Sequence, residues 1–191
     1  MNPDNDFEDL QTLRARLATA AEQEGLLDVS YTVMSSPVGD LLLAATDLGL
    51  VRIAYAVQNH DQVLDSLAQS VSPRILRAPR RLDDTARELD AYFAGTRTSF
   101  DLPLDLRLTR GFRGLVQEHL REIEYGHTQS YRDVATAVGS PRAVRAVGTA
   151  CATNPLPIVL PCHRVLRSDG ALGGYIGGLE AKNTLLTLER R

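Results

Sequence analysis

The sequence predicts an α+β protein whose halves are built differently, and three observations lead there. Residues 29–56 alternate strand-like runs with turn signals, residues 111–153 read as helices, and "TRTSFDLPLDLRLT" between them has the mixed polarity and the proline of a connector. At 191 residues, 43% of them hydrophobic, the chain can bury a real core. The expected layout is an N-terminal α/β domain with an antiparallel sheet over residues 1–98, a connector over 99–110, and a helical C-terminal domain over 111–191.

Taken in order, Phe7, Leu10, Leu13, Leu17 and Ala21 recur at helical spacing before Gly25 stops the pattern, which predicts an amphipathic first helix. "VSYTVMSSPVGDLLLAATDLGLVRIAYA" follows. Its turn signals "SPVGD" and "TDLG" separate three runs rich in Val, Leu, Ile and Tyr, an antiparallel meander. "DDTARELDAYFAG" predicts a helix with Asp83 or Asp84 as N-cap and Gly95 past its end.

Past the connector, Phe112, Leu115, Val116, Leu120 and Ile123 share one face of a helix that runs to Gly126. "SYRDVATAVG" predicts a short helix capped by Ser130. "SPRAVRAVGTACAT" predicts another, with Ser140 as N-cap and Pro141 at its first position. Two short helices joined at Gly139 make a helix-turn-helix pattern, which many proteins carry without binding DNA.

Composition narrows the function. No apolar stretch approaches the roughly 20 residues of a membrane-spanning helix, and Met1 to Leu10 is polar and acidic, so the expected location is the cytoplasm. Two cysteines, Cys151 and Cys162, are too few for a disulfide framework. His60, His119 and His127 form no zinc-ligand spacing with Cys162 and His163, so neither metal nor cofactor is expected. Residues 1–106 carry nine Lys+Arg against seventeen Asp+Glu, and residues 107–191 twelve against seven. A basic C-terminal part opposite an acidic N-terminal part points to an anionic partner for the former, such as nucleic acid.

"NPLPIVLPCHRV" sets Cys162 beside His163 after an apolar run bracketed by prolines. Alone, the pair is compatible with packing, metal binding or nucleophilic chemistry, and packing is the commonest use of a single cysteine. The longer context is more specific. "NPLPIVLPCHRV", preceded by "YGHTQSYRDVATAVGSPRAVRAVG" and followed by "SDGALGGYIGGLEAKNTLLTLE", resembles the active-site region of the O6-alkylguanine-DNA alkyltransferases, the methylated-DNA–protein-cysteine methyltransferases. "YTVMSSPVGDLLLAATDLGLVRIAYA" is similar to that family's N-terminal domain.

The resemblance implies a ribonuclease-H-like N-terminal domain, a C-terminal domain with a winged helix-turn-helix, and single-turnover repair. An alkyl group on O6 of guanine, or O4 of thymine, moves to Cys162 and stays there. A soft anionic nucleophile suits displacement at an alkyl carbon, and a free thiol with a pKa of about 8.5 is only a few per cent ionised near neutral pH. By resemblance His163 takes the thiol proton through a water, and Glu189 stabilises the imidazolium. The target base must leave the duplex, at a cost of a few kcal/mol.

Arg145 matches the arginine that fills the vacated stack, and Tyr131 the tyrosine that crowds the 3′ phosphate and can give a proton to the leaving base. Ala143, Ala146, Gly148 and Ala150 keep that helix narrow for a minor groove read without sequence preference. Asn154 matches the asparagine that ties this helix to the cysteine turn. The carbonyls of Cys162 and Val165 and the N–H of Ile176 match contacts to guanine, and Tyr175 lines its pocket. A monomer is expected, with cooperative loading on double-stranded DNA left open.

Val116 stands where many members have tryptophan, Glu124 where proline is usual, and Ile176 where a small residue is usual; the zinc-binding cysteines of some relatives are absent. The branched Ile176 is expected to restrict bulky adducts. Two rivals remain: a lesion-binding protein without transfer, against which Cys162 argues, and a Cys-His hydrolase, which would turn over many times. An open cavity for a nucleobase beside the sulfur is expected.

Overall fold

The computed structural model describes the backbone of residues 3–190 and the side chains of 12–190. Helix α1 (Pro3–Gln23) precedes strands β1 (Val29–Met34), β2 (Leu41–Thr46) and β3 (Gly49–Tyr55). The predicted meander is present, each strand antiparallel to the next. A short β4 (Ile75–Arg77) pairs parallel to β1 and completes a sheet of order β3-β2-β1-β4. The sheet is therefore mixed, which corrects the purely antiparallel expectation. Helix α2 (His60–Ser70) makes the crossover that a parallel neighbour requires.

α1 buries Ala18 and Ala21, which cluster with Leu27 and Ala78 beside β4. Leu13 and Leu17 from the predicted apolar face are 58% and 57% exposed, while the side chains of Phe7 and Leu10 lie outside the described residues. The helix docks through its small residues, Ala18 and Ala21, against Leu76 and Ala78. In α3 (Asp83–Phe93) the N-cap is Leu82, and Asp83 and Asp84 occupy the first turn, where their charge favours the helix dipole without capping.

The 99–110 segment docks on the sheet. Leu50 N–H donates to Pro103 O and Asp105 N–H to Leu50 O, at 2.8 and 2.9 Å. Gly49 makes this approach possible: its φ is +136°, and a Cβ there would lie 2.2 Å from Pro103 O.

The second half holds α4 (Gly111–Leu120), β5 (Gln129–Ser130), α5 (Tyr131–Ala137), α6 (Val144–Ala152), β6 (Val165–Leu166) and α7 (Gly178–Glu189). α4 stops at Leu120, short of Gly126, and Leu115 faces solvent while Val116, Leu120 and Ile123 are buried. Ser130 caps α5 and forms a reciprocal capping box with Asp133. Gly139, at φ +71°, turns the chain toward α6. That helix begins at Val144 with Ala143 as N-cap, so Ser140 and Pro141 lie in the turn; Ser140 O accepts from Ala143 N–H at 2.8 Å. β5 and β6 pair in parallel beside the helices.

One core joins the halves. Leu41, Leu43, Ile53, Tyr55, Leu82, Leu89 and Tyr92 from the first pack with Leu156, Ile158, Leu160, Ala181 and Leu185 from the second. Each buried Leu or Ile among them contributes about 1.5–3 kcal/mol of transfer free energy. A second cluster under α4, α5 and α6 contains both cysteines. No helix among the described residues is long and apolar enough to cross a membrane.

Candidate active site

Cys162 opens a short 3-10 turn, Cys162–Arg164, whose three residues are all buried. The chain reaches it through Pro155, Pro157 and Pro161, and between them Ile158 has φ +75°. A β-branched residue there costs about 1–3 kcal/mol, which the packing around it must offset. Ile158 is fully buried between Leu156 and Leu160 in the joint core, and that packing holds the strained loop.

Asn154 fixes the sulfur. Its Nδ2 donates to Leu160 O at 2.7 Å and to Cys162 Sγ at 3.1 Å, and its Oδ1 accepts from Leu156 N–H at 3.0 Å. Because Asn154 comes just past Thr153, the C-cap of α6, the helix end and the cysteine turn form one unit. Burial pushes the Cys162 thiol up to about 11, against the pull of the Asn154 amide and the Lys182 ammonium. The closed site therefore holds a protonated thiol near neutral pH.

His163 Nε2 lies 2.8 Å from Glu189 Oε1. Arg164 grips the same carboxylate with Nε and Nη2, each at 2.9 Å, and Tyr92 donates its hydroxyl at 2.6 Å. Gly126 N–H adds a longer contact of 3.3 Å. Burial alone would raise the Glu189 carboxyl, but the bonds from His163 and Arg164 overturn that and hold it at about 2. Burial pushes the His163 imidazole down in spite of Glu189. The pair is thus a neutral imidazole whose Nε2–H donates to a carboxylate; the tautomer follows from the carboxylate's charge. His163 Nδ1 is left as a buried lone pair without a partner, the position a proton acceptor needs. The sulfur's bonded partner is Asn154, so any proton transfer to His163 needs an intermediary.

The cover over Cys162 is specific. The sulfur's residue is 1% exposed, which replaces the expected open cavity with a closed site. Tyr131 and Tyr175, both partly buried, pack on the cluster that contains Cys162. Gly173 sits against Tyr131: a Cβ there would fall 2.5 Å from the phenolic oxygen. With Cys162 1% exposed, a nucleobase does not reach Sγ in this arrangement. Burial pushes Tyr131 up to about 12, which leaves its hydroxyl a neutral donor. The Ile176 side chain packs on the joint core and not on the Cys162 cluster, so it belongs to the structural side of the loop.

Val165 O accepts from the buried Lys182 Nζ at 2.6 Å, and Cys162 O from Val165 N–H. Each carbonyl keeps a second lone pair. On α6, Arg145 and Ala146 are exposed and Ala143 and Gly148 half-buried, with no atom within 4 Å of where a Gly148 Cβ would sit. Arg132 and Arg142 are exposed nearby. Arg145 lies on this outer face, apart from the buried Cys162–His163–Glu189 group. Among the described residues no group of three or more His, Cys, Asp and Glu could hold a metal.

Sequence reasoning missed Arg164, Tyr92, Lys182 and Tyr55. Lys182 is the sequence's single lysine, an oddity that could have drawn notice. Tyr92 reaches Glu189 across 97 residues of chain, and nothing local announces it.

The comparisons with known proteins agree on one group. A family model described as "6-O-methylguanine DNA methyltransferase, ribonuclease-like domain" matches residues 29–106, and one described as "6-O-methylguanine DNA methyltransferase, DNA binding domain" matches residues 111–191. The methylated-DNA–protein-cysteine methyltransferase of Mycolicibacterium paratuberculosis is 41% identical over 85% of this chain and 93% of its own. The protein of the same name from Methanosarcina barkeri is 40% identical over 83% of this chain and 96% of its own. Among solved structures, the Mycobacterium tuberculosis O6-methylguanine methyltransferase superposes with a TM-score of 0.74 at 37% identity, covering 85% of this chain and 93% of that one. The structure of the M. tuberculosis OGT in complex with DNA gives 0.72 at 37% identity, over 84% and 92%.

Proposed function

The chain belongs to the 6-O-methylguanine DNA methyltransferase family, which repairs DNA by alkyl transfer to cysteine, and we propose that Cys162 is the acceptor, charged once per molecule. The observation that carries the assignment is the pairing of two tethered groups: the Asn154-bound sulfur, and next to it in the chain an imidazole held by an ionised carboxylate with Nδ1 free.

The geometry supports the following course. Opening of the 171–177 loop admits the extruded base and water, and the thiol loses the burial that keeps its pKa high. A water passes the thiol proton to His163 Nδ1, and Glu189 stabilises the imidazolium. The S–C bond forms as the C–O6 bond breaks. The electron pair stays on the purine, which takes a proton or hydrogen bond from Tyr131. Release of the alkyl group would need the Cys162 thiolate to leave from a neutral thioether, which it does poorly, so the protein stops after one cycle. The spare lone pairs of Cys162 O and Val165 O suit the guanine amino group, and Tyr175 the face of the ring.

DNA is bound across the minor groove by α6, with Arg145 in the vacated stack. The exposed, narrow surface at Ala143, Ala146 and Gly148, flanked by exposed arginines, supports this. Titration with a duplex bearing O6-methylguanine tests the reading. Methyl loss from DNA should reach a plateau at one equivalent of protein, and Cys162→Ser should bind the duplex without repairing it. Continued turnover beyond one equivalent would instead place the protein with the Cys-His hydrolases.

A further inference from the structure

The active-site loop is pinned at two glycines, each lying under a tyrosine ring. Gly173 takes Tyr131 from the C-terminal half; Gly177 takes Tyr55, the last residue of β3, whose ring stands 2.7 Å from where a Gly177 Cβ would be. Tyr55 is 2% exposed. Its hydroxyl lies 2.7 Å from that of Tyr175, and the two rings meet edge to face at 5.7 Å. Tyr175 in turn stands edge-on to His163, with centroids 6.4 Å apart. A continuous line of contact therefore runs from the sheet to the relay imidazole through the residue that lines the base pocket.

We propose that Tyr55 is a positioning residue for alkyl transfer, which latches the loop over Cys162 through its hydroxyl bond to Tyr175 and returns Tyr175 to the correct pose against an entering base. The role rests on the reading of Cys162 as the acceptor. Packing alone does not account for the hydroxyl, because phenylalanine would fill the space beside Gly177 equally well. A buried hydroxyl is retained at a desolvation cost that only its partner offsets, and the partner here sits on the segment that must move.

The test uses the full-length chain and the variants Tyr55→Phe, Tyr175→Phe and the double variant. Iodoacetamide labelling without DNA is followed separately on the Cys162 and Cys151 peptides, and methyl transfer is followed from an O6-methylguanine duplex. Loss of one neutral hydrogen bond should open the loop about three- to tenfold more often. Cys162 labelling in Tyr55→Phe then rises by that factor, Cys151 labelling stays constant, and methyl transfer slows.

The double variant should label no faster than the faster single variant, since both remove the same bond. Unchanged Cys162 labelling in both single variants, an equal rise at Cys151, or rates that multiply in the double variant would overturn the latch. Failure of the unsubstituted protein to take methyl from DNA would sink the functional reading instead, with the labelling result still judging the latch.

Discussion

At Glu189 five donor contacts from four residues meet one carboxylate, and the consequences of removing its charge are specific. Glu189→Gln leaves Arg164 as a buried cation without its counter-ion, so stability should fall by roughly 3–5 kcal/mol, the usual cost of breaking a buried pair. Transfer should fall by a factor on the order of 10² or more as the imidazolium loses its support. Chemical denaturation and single-turnover kinetics check the two parts separately. The thiol makes a further prediction. With its pKa pushed up to about 11, thiolate content rises with pH, so iodoacetamide labelling of Cys162 in the DNA-free protein should keep rising through pH 9 and level off only near the thiol's pKa. A plateau near the ordinary thiol value of about 8.5 would show that the free protein already activates its cysteine.

Among elements, the turn between α5 and α6 and the 171–177 loop do most to shape the site. Ser130 and Gly139 were readable because a cap and a left-handed turn are local devices with local signatures. The start of α6 was not readable: Ser140 and Pro141 carry a helix-start signature, yet the chain spends them on the turn that aims Val144–Ala152. The outer residues of that helix give a contrast between substrates. Arg145→Ala should slow repair in duplex DNA well beyond its effect on free O6-methylguanine base, and equal slowing on both would remove the residue from base extrusion. In the loop, Gly173→Ala pushes a methyl into the Tyr131 hydroxyl, so Tyr131 must shift by about an ångström. Stopped-flow repair should slow on the order of 10²-fold, the usual cost of such a misplacement.

Across the whole molecule, the N-terminal half supports a site that lies in the C-terminal half. Tyr92 hydrogen-bonds the Glu189 carboxylate, and Tyr55 hydrogen-bonds Tyr175. The motif around Cys162 announced Cys162, His163 and Asn154, the proposed nucleophile, base and tether, because they sit within ten residues. These two tyrosines stayed hidden because the fold, and not the spacing, brings them in. β4 escaped for a related reason: a three-residue strand has too little pattern, and its parallel pairing is a tertiary fact. α2 did carry local signals, the Asn59 cap and Val63 and Leu67 four residues apart.

The same buried network sets the acid limit. His163, pushed down in the fold, must charge on unfolding, so stability falls as pH drops below about 6.5. Glu189, held at about 2 against an ordinary value of 4.5, gives stability that is complete above 4.5 and lost as pH falls toward 2. Urea midpoints should accordingly decline in two stages on acidification, and Glu189→Gln should shrink the lower one, to which Asp28, Asp105 and Asp133 also contribute.

Peptide mapping after one equivalent of O6-methylguanine duplex has been repaired addresses the sulfur itself. The expected product carries a single methyl on the Cys162 peptide, none on Cys151, and an unmodified guanine in the DNA. A repaired guanine with Cys162 still a free thiol, or a methyl found on Cys151, would contradict the assignment.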